Sequence, residues 1–459
     1  MRLTKSKNYD INYLAKVVNI KSFEKHPDPE VNKIKIAPVG GYNVVVGIDS
    51  EPGLYVYFPT LSQINPELLT YANLYRHKEK NKDDSKSGFF EDNGKVTAIK
   101  LRGVISEGFL MEWDTFNNWL IDSVNKSVEA NEDEEFDTVE EGSKTFWVNK
   151  KYVKPLSQNQ HVSTGRRDKQ LKRFDRVIEN QFRFHYDTII LRKTPYVIQP
   201  DDILSITEKI HGTSGISAYV LCHNKCNWTW KRKLSAWIDK HIFRFNVIDY
   251  DYDYIYASRS VIKNRYFNKN VTSGFYKCDV WAEADKVIKP HLDKGMTAYY
   301  EIVGYLPTGG YIQKNYDYGC VKPEENETYT VDKHFKVRIY RLTLTNVDGV
   351  VHEFSAREVQ QWCNSHGLCA VNEWYYGYAK DLYPDIPQDE NWSMNFMNRL
   401  ADDKNFYMEK NSPSCNNKVP HEGLVLKTEK MHSEAWKLKC FAFLKGELSD
   451  EDSNIEDNA

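Results

Sequence analysis

A lysine followed closely by a glycine lies between two strand-like runs near the middle of the 459-residue chain. The stretch reads Glu208-Lys209-Ile210-His211-Gly212, and a sheet edge there would present the lysine amine to a nucleotide. A neutral lysine amine can attack phosphorus, and burial or nearby positive charge lowers the pKa that keeps it protonated. Because a lysine beside a glycine turn is most often an ordinary surface feature, this motif needs support from elsewhere in the chain.

Two further lysines share one face of a short strand near the C-terminus. Period-two alternation places Lys437 and Lys439 on the same side of the run Trp436-Lys-Leu-Lys-Cys440. Two neighbouring cations would stabilise the charge that develops at a reacting phosphate. The alternative is a half-buried strand with a solvated basic face, and the run by itself does not decide between the two.

Two acidic residues stand in or beside strand-like runs that are otherwise apolar. Glu301 interrupts the run Tyr299-Tyr-Glu-Ile-Val303, and Glu422 stands at the entrance to the run 423–428. A carboxylate flanked by Ile, Val and Tyr is costly to bury without a partner. This favours a functional role for Glu301 over a packing role.

In chain order these four pieces resemble motifs I, III, IV and V of the covalent nucleotidyltransferases, the superfamily of ATP-dependent ligases and mRNA capping enzymes. Ser258-Arg259-Ser260 resembles motif Ia, and Arg338-Ile-Tyr340 resembles motif IIIa. The string Glu208-Lys-Ile-His-Gly-Thr-Ser is similar to the RNA ligase version of motif I, in which His often replaces the Asp of DNA ligases. The resemblance therefore implies an RNA ligase.

The order of the segments limits the resemblance to one type of RNA ligase. A strand-rich N-terminal region comes first, then Phe182-Arg-Phe-His-Tyr-Asp-Thr188, and then the lysine motif. This order is similar to that of the ATP-dependent RNA ligases of the Deinococcus radiodurans and Naegleria gruberi type. DNA ligases and capping enzymes usually carry their OB domain after motif V, whereas only twenty residues follow Lys439 here.

The resemblance also implies a role for each matching residue. Lys209 would attack the α-phosphorus of ATP and hold AMP covalently, while Lys437 and Lys439 would neutralise the phosphate. Mg²⁺ or Mn²⁺ would be held through metal-bound waters, since Mg²⁺ uses few protein carboxylates. The implied contacts are Glu422 and Glu301 for the metal, Tyr340 for stacking on adenine, Arg259 for a phosphate or ribose, His211 for pyrophosphate or its metal, and Glu208, Ile210, Glu301 and Lys427 for the nucleotide.

Two regions of different type carry these motifs. Residues 1–155 contain short runs bounded by Gly, Pro or Asp, which predicts an all-β, OB-like barrel that binds nucleic acid. Residues 181–446 mix strands and helices, which predicts an α+β nucleotidyltransferase domain with antiparallel sheets. A capping box at Ser355-Ala-Arg-Glu358 should begin a helix that ends at Gly367. The expected strands are 13–20, 31–37, 42–47, 54–59 and 96–101 in the first region, and 203–207, 216–221, 299–303, 336–343, 423–428 and 435–440 in the second.

Charge is unevenly distributed, although the formal net charge is only −3. Residues 156–180 form a basic linker, and its segment 166–176 is as compatible with a solvated helix as with direct phosphate contact. Acidic runs occur at 129–141 and 447–457 and have no assigned role. Residues 447–459 lack apolar periodicity and are predicted to be a disordered tail.

The sequence thus predicts an intracellular, cytoplasmic enzyme that acts as a monomer, with no membrane span and no obligate protein partner. It would join a 3′-OH RNA end to a 5′-phosphate end, at nicks in RNA or RNA-containing duplexes. The reaction would pass through lysyl-AMP and an adenylated 5′ end and would serve RNA repair. The alternatives are an ATP-dependent DNA ligase, a GTP-using capping enzyme and a non-catalytic nucleic-acid-binding protein. Retention of Lys209 and Glu422 disfavours the last of these.

Overall fold

The computed structural model describes residues 1–153, 177–223, 229–242, 250–263, 276, 278–430 and 434–448. The predicted basic linker lies outside the described residues from 156 to 176, and the predicted acidic tail lies outside them from 449 onward. The division into domains near residues 155 and 181 therefore stays a prediction. Within the described ranges, no helix combines the length and the apolar character that crossing a membrane requires.

The secondary structure of residues 1–153 consists mainly of short strands, accompanied by two α-helices. The strands are β1 (Arg2–Thr4), β2 (Ala15–Ile20), β3 (Glu24–Lys25), β4 (Ile34–Val39), β5 (Tyr42–Gly47), β6 (Gly53–Phe58), β7 (Ser62–Ile64), β8 (Ile99–Leu101), β9 (Val104–Ser106), β10 (Phe109–Glu112), β11 (Glu135–Phe136), β12 (Thr138–Glu141), β13 (Lys144–Trp147) and β14 (Asn149–Lys151); the helices are α1 (Pro66–Tyr71) and α2 (Trp113–Val124). They form antiparallel sheets in the orders β10-β6-β2-β11, β1-β12-β13, β3-β4-β5, β8-β9 and β14-β7. None of these sheets closes on itself, so the predicted OB-like barrel is not confirmed.

The sheet β10-β6-β2-β11 is buried on both faces. Val56 packs with Phe116 of α2 on one side, while its neighbour Tyr55 packs with Val44 of β5 on the other. The five predicted strands overlap β2, β4, β5, β6 and β8, whereas none of the other strands in this region exceeds four residues. Runs this short carry too little periodicity to be recognised in the sequence.

The second region contains two larger sheets. Its strands are β15 (Ile189–Ile190), β16 (Ile203–Glu208), β17 (Thr213–His223), β18 (Tyr250–Ser258), β19 (Ile262–Lys263), β20 (Met296–Gly304), β21 (Phe335–Thr345), β22 (Val351–Glu353), β23 (Glu373–Tyr378), β24 (Gly423–Thr428) and β25 (Ala435–Lys439). One sheet has the order β19-β18-β17-β20-β21-β22 and the other β15-β25-β24-β16-β23. Among these strands only β15 and β25 pair in parallel, so the predicted antiparallel sheets are confirmed.

Helices pack against both sheets, although the first of them, Trp230–His241, has no buried residue. They are α3 (Trp230–His241), α4 (Val280–Ile288), α5 (Ala356–Ser365), α6 (Ala379–Leu382), α7 (Trp392–Ala401) and α8 (Phe441–Leu448). Trp281 of α4 and Val359 of α5 share a core with Ile302 of the six-stranded sheet. Phe396 of α7 packs with Leu426 of the five-stranded sheet.

The capping box at the start of α5 is confirmed. Ser355 Oγ accepts a hydrogen bond from the Glu358 amide at 3.2 Å, and the Glu358 carboxylate accepts one from the Ser355 amide at 2.7 Å. Gly367 follows the helix at φ +66°, a left-handed conformation that glycine adopts readily. The helix therefore begins and ends where the sequence signals predict.

The lysine motif crosses from one sheet to the other. Strands β16 and β17 are consecutive in the chain but belong to different sheets, so Lys209 lies at the junction between them. The Lys209 amide donates to the Gly423 carbonyl at 2.9 Å, and the His211 amide donates to the Tyr318 hydroxyl at 2.7 Å. A Cβ at Gly212 would come within 2.6 Å of the Ile302 carbonyl oxygen, so only glycine fits this crossing without displacement.

Candidate active site

A cavity of about 210 Å³ lies where the two sheets meet. Eight Lys or Arg side chains and five Asp or Glu side chains line it, an excess of positive charge that favours an anionic ligand. Of the predicted site residues, those in the lining are Glu208, Lys209, Ile210, His211, Arg259, Glu301, Tyr340, Lys427, Lys437 and Lys439. Glu422 is buried directly beside Lys209 rather than in the lining.

Glu422 is the acid around which the basic residues gather. Its carboxylate forms an ion pair with the Lys209 ammonium, and its side chain is only 1% exposed against 18% for Lys209. Nδ1 of His211 lies 3.9 Å from one carboxylate oxygen, and Nζ of Lys439 lies 4.0 Å from the other. Lys209 and His211 of the first motif and Lys439 of the last motif therefore meet at the buried Glu422 carboxylate.

Lys437 is buried, which excludes the alternative of a solvated basic face at this position. On the opposite face of β25, Trp436 and Leu438 lie in the main hydrophobic core. Burial is the main cause that lowers the pKa of Lys437 to about 8; Lys439 and Lys209 act in the same direction, and Asp187 opposes them. The strand thus holds an ammonium group whose protonation changes near neutral pH.

Arg259 lies in the cavity in an ion pair with Asp187. Burial raises the pKa of Asp187, but Lys437, Arg259 and Lys151 lower it below its ordinary value. In the sequence, the segment that carries Asp187 is marked only by its position before the lysine motif. The structure shows that it also supplies cavity residues, among them His185.

Aromatic rings form one part of the cavity lining. The rings of Tyr340 and His185 meet edge to face, with centroids 5.4 Å apart. Burial, together with Arg259, lowers the pKa of His185 to about 3, so this imidazole is neutral at physiological pH. Beside them the Arg341 guanidinium lies 4.7 Å from the centroid of the Tyr186 ring. Such a surface suits a planar nucleobase.

Glu208 and Lys427 line the cavity but are held by protein groups. The Glu208 carboxylate accepts hydrogen bonds from Ser414 Oγ and Asn372 Nδ2, each at 2.7 Å. Burial raises the pKa of Glu208, and these donors act in the opposite direction. Nζ of Lys427 donates to a backbone carbonyl at 2.9 Å and lies 3.4 Å from Glu353. Both side chains are therefore fixed in position before any ligand binds.

His211 and Ile210 are packed inside the protein. The His211 ring meets the rings of Tyr316 and Phe443 edge to face, with centroid distances of 4.8 and 4.9 Å. Ile210 belongs to the same hydrophobic core as β24 and β25. The ring contacts fix the orientation of His211, which directs its Nδ1 toward Glu422.

The acidic groups suit a hydrated divalent ion. Ser214 Oγ donates to Glu301 Oε1 at 2.7 Å, and a Cβ at Gly212 would lie 3.0 Å from Glu301 Oε2, so glycine leaves room beside that oxygen. In the parts of the chain that the structure describes, no group of three or more His, Cys, Asp or Glu could hold a metal ion. A divalent ion such as Mg²⁺ keeps most of its waters, so carboxylates like those of Glu301 and Glu422 could hold it through water instead of by direct contact.

Sequence comparison finds no relative: no protein-family model and no curated protein matches the chain. Solved structures do match. The Naegleria gruberi RNA ligase with PPi superposes with a TM-score of 0.53 at 14% identity, over 95% of this chain and 99% of that one. A mutant of that ligase with ATP and Mn gives 0.51 at 13% identity, over 96% and 99% of the two chains. Another with AMP and Mn gives 0.50 at 14% identity, over 95% and 98%. The chain therefore shares the fold of this RNA ligase over nearly its whole length.

Proposed function

We propose that this chain is an ATP-dependent RNA ligase that stores AMP on Lys209. The observation that carries the proposal is the position of the Lys209 amine in a cation-rich cavity, paired with Glu422 and close to Lys437 and Lys439. The shared fold supports it, because the similar ligase has been solved with ATP and Mn and with AMP and Mn. Fold alone does not determine function, so the arrangement of residues at the cavity carries the argument.

In the first step Lys209 Nζ attacks the α-phosphorus of ATP. A P–N bond forms, the bond to the β-phosphate oxygen breaks, and pyrophosphate leaves. The ion pair with Glu422 holds the ammonium form of Lys209, so Nζ must first lose a proton to water before it attacks. Lys437 and Lys439 neutralise the α-phosphate as charge develops. Glu422 and Glu301 would hold a divalent ion, which would supply further positive charge at that phosphate.

Two further displacements complete the reaction. The 5′-phosphate of an RNA end attacks the AMP phosphorus and releases Lys209, and the 3′-OH of the second end then attacks the adenylated 5′ end and releases AMP. Tyr340 stacks on adenine, and Arg259 binds a phosphate or the ribose. The natural metal is Mg²⁺, the substrate is a nicked RNA or RNA-containing duplex, and the protein acts as a monomer.

The first test is incubation with α-labelled ATP and Mg²⁺, followed by denaturing electrophoresis. Wild type should carry the label, and Lys209→Ala should not. The matched control is Lys286→Ala, which removes an exposed lysine outside the cavity and should label like wild type. Labelled GTP should give no band. A band with GTP would favour a capping enzyme.

The second test compares nicked duplexes whose 3′-OH nucleotide is RNA or DNA. Sealing should require the RNA terminus, and equal sealing of both would support a DNA ligase instead.

In the labelling test, pyrophosphate treatment beforehand removes any AMP already on Lys209. If the folded wild-type protein still takes up no label, the enzyme proposal fails and a non-catalytic nucleic-acid-binding protein replaces it.

A further inference from the structure

The first 153 residues contribute to the same cavity as Lys209. The contributing residues are Tyr13, Leu61, Lys95, Lys151 and Tyr152. The Lys95 ammonium lies 4.8 Å from the centroid of the Tyr152 ring, and the Lys151 ammonium lies 5.3 Å from that of Tyr13. Lys95 is only 8% exposed, and lysines are rarely buried to this extent. Two cations braced against aromatic rings therefore belong to the cavity.

A strand connects this N-terminal region to the catalytic lysines. Asn12 Oδ1 accepts a hydrogen bond from the Ile190 amide at 2.9 Å, and Asn12 Nδ2 donates to the Thr188 carbonyl at 3.1 Å. Ile190 lies in β15, where it is the register partner of Lys437 in the parallel pair with β25. Only one strand therefore separates Asn12 from a catalytic strand.

Further contacts fix the same junction. Nζ of Lys193 lies 2.8 Å from the Glu135 carboxylate, and Arg192 Nη1 donates to the Gly41 carbonyl at 3.2 Å. A Cβ at Gly41 would come within 2.7 Å of the Arg192 carbonyl oxygen, so the two backbones approach closely. The N-terminal region is packed against the segment before the lysine motif. This packing holds Lys95 and Lys151 in place at the cavity.

Lys151 acts on the same acid as two residues of the catalytic region. Burial raises the pKa of Asp187, and Lys437, Arg259 and Lys151 lower it. Asp187 is thus an anion surrounded by cations from both parts of the chain. A phosphate group bound among these cations would interact with Lys151 as well as with Lys437.

Displacement at phosphorus places the entering and leaving groups in line on opposite sides. With Lys209 on one side of the α-phosphorus, pyrophosphate leaves from the other side, and the RNA 5′-phosphate later enters from there. We propose that Lys95 and Lys151 bind this in-line phosphate, first as the β-phosphate of ATP and then as the 5′-phosphate of RNA. The inference rests on the proposed ligase function and makes the N-terminal region part of the active site.

The test uses the full chain with Lys151→Ala, Lys151→Arg and Lys95→Met. The control is Lys150→Ala, because Lys150 lies on the same strand over the Trp147 ring and is not part of the cavity. One arm measures the ATP concentration that half-saturates lysyl-AMP formation and the pyrophosphate concentration that half-saturates its reversal. The other measures binding of nicked RNA with a 5′-phosphate against the same nick with a 5′-OH.

Lys151→Ala should raise both half-saturating concentrations about tenfold and should abolish the preference for the 5′-phosphate, since a charge-assisted contact is lost. Lys151→Arg should retain most of the preference, Lys95→Met should resemble Lys151→Ala, and Lys150→Ala should match wild type. A change in the half-saturating concentrations only, or in RNA binding only, would overturn the proposal of a shared subsite. So would equally weakened binding of the 5′-phosphate and 5′-OH nicks. Failure of the proposed function would show separately, as absence of lysyl-AMP in wild type.

Discussion

Lys209 and Glu422 form an ion pair across 213 residues of sequence. The pair joins the loop between β16 and β17 to the start of β24, so it connects Lys209 with the entrance of the strand that pairs with β25. Lys439 lies 4.0 Å from the same carboxylate oxygen. The carboxylate therefore orients the Lys209 amine and brings it close to Lys439.

Removing the lysine should destabilise the protein. Lys209→Ala leaves the buried Glu422 carboxylate without its main cation, and the unfolding free energy should fall by about 1 to 3 kcal/mol. Adding Glu422→Gln should recover part of this loss, because the uncompensated charge disappears. Urea denaturation of the single and double variants measures the effect. Equal stability of Lys209→Ala and wild type would contradict a stabilising pair.

Lys437 should produce an alkaline limb in the pH profile of lysyl-AMP formation. Its pKa of about 8 means that the free enzyme loses this cation above that pH, and kcat/KM for ATP should fall there. Lys437→Arg keeps the charge and should remove the limb, although its different shape lowers the rate. Single-turnover labelling across the pH range checks this, and an unchanged limb in the arginine variant would assign it to another group.

The same lysine should make stability rise with pH in the alkaline range. Its folded-state pKa of about 8 lies below the ordinary 10.5, so between these values the unfolded chain binds more protons than the folded chain. Unfolding therefore becomes less favourable as pH increases through this window. Lys437→Met should lose this contribution. Denaturation midpoints measured below and above pH 8 for both proteins test the sign.

Gly212→Ala should impair adenylation through sterics. The new Cβ would lie 2.6 Å from the Ile302 carbonyl oxygen and 2.8 Å from Val303 Cγ1, so the crossing that carries Lys209 must shift. Lysyl-AMP formation should slow by about 100-fold, since small misplacements of a reacting group have large effects on rate. The control is Gly47→Ala, whose Cβ would meet nothing within 4 Å. A rate near that of wild type would show that the crossing tolerates the methyl group.

Tyr340 should contribute to ATP binding through its ring and not through its hydroxyl. The hydroxyl is buried and has no hydrogen-bond partner among the described residues. Tyr340→Phe should therefore leave the KM for ATP near the wild-type value, whereas Tyr340→Leu should raise it about tenfold by removing a stacking surface. A large effect of the phenylalanine variant would assign the hydroxyl a role in nucleotide recognition.

Local patterns predicted the elements that carry the site because periodicity and capping are properties of neighbouring residues. The run 423–428 coincides with β24, and the alternation around Lys437 correctly identified the face that Trp436 and Leu438 bury. The ordered motifs also predicted which side chains would share a cavity, and all but Glu422 line it.

Only the tertiary structure decided which residues outside the motifs join the cavity and which charged groups pair there. Alternation shows which face of a strand is buried but not what covers it, so the burial of Lys437 and the pairing of Arg259 with Asp187 could not be derived from spacing. The short N-terminal strands divide into separate sheets, and Lys95 and Lys151 enter the catalytic cavity, because packing across the whole chain selects among many locally acceptable arrangements. The sequence alone predicted that Lys209, Lys437 and Lys439 belong to one site; long-range packing brought Asp187, Lys95 and Lys151 to the same cavity.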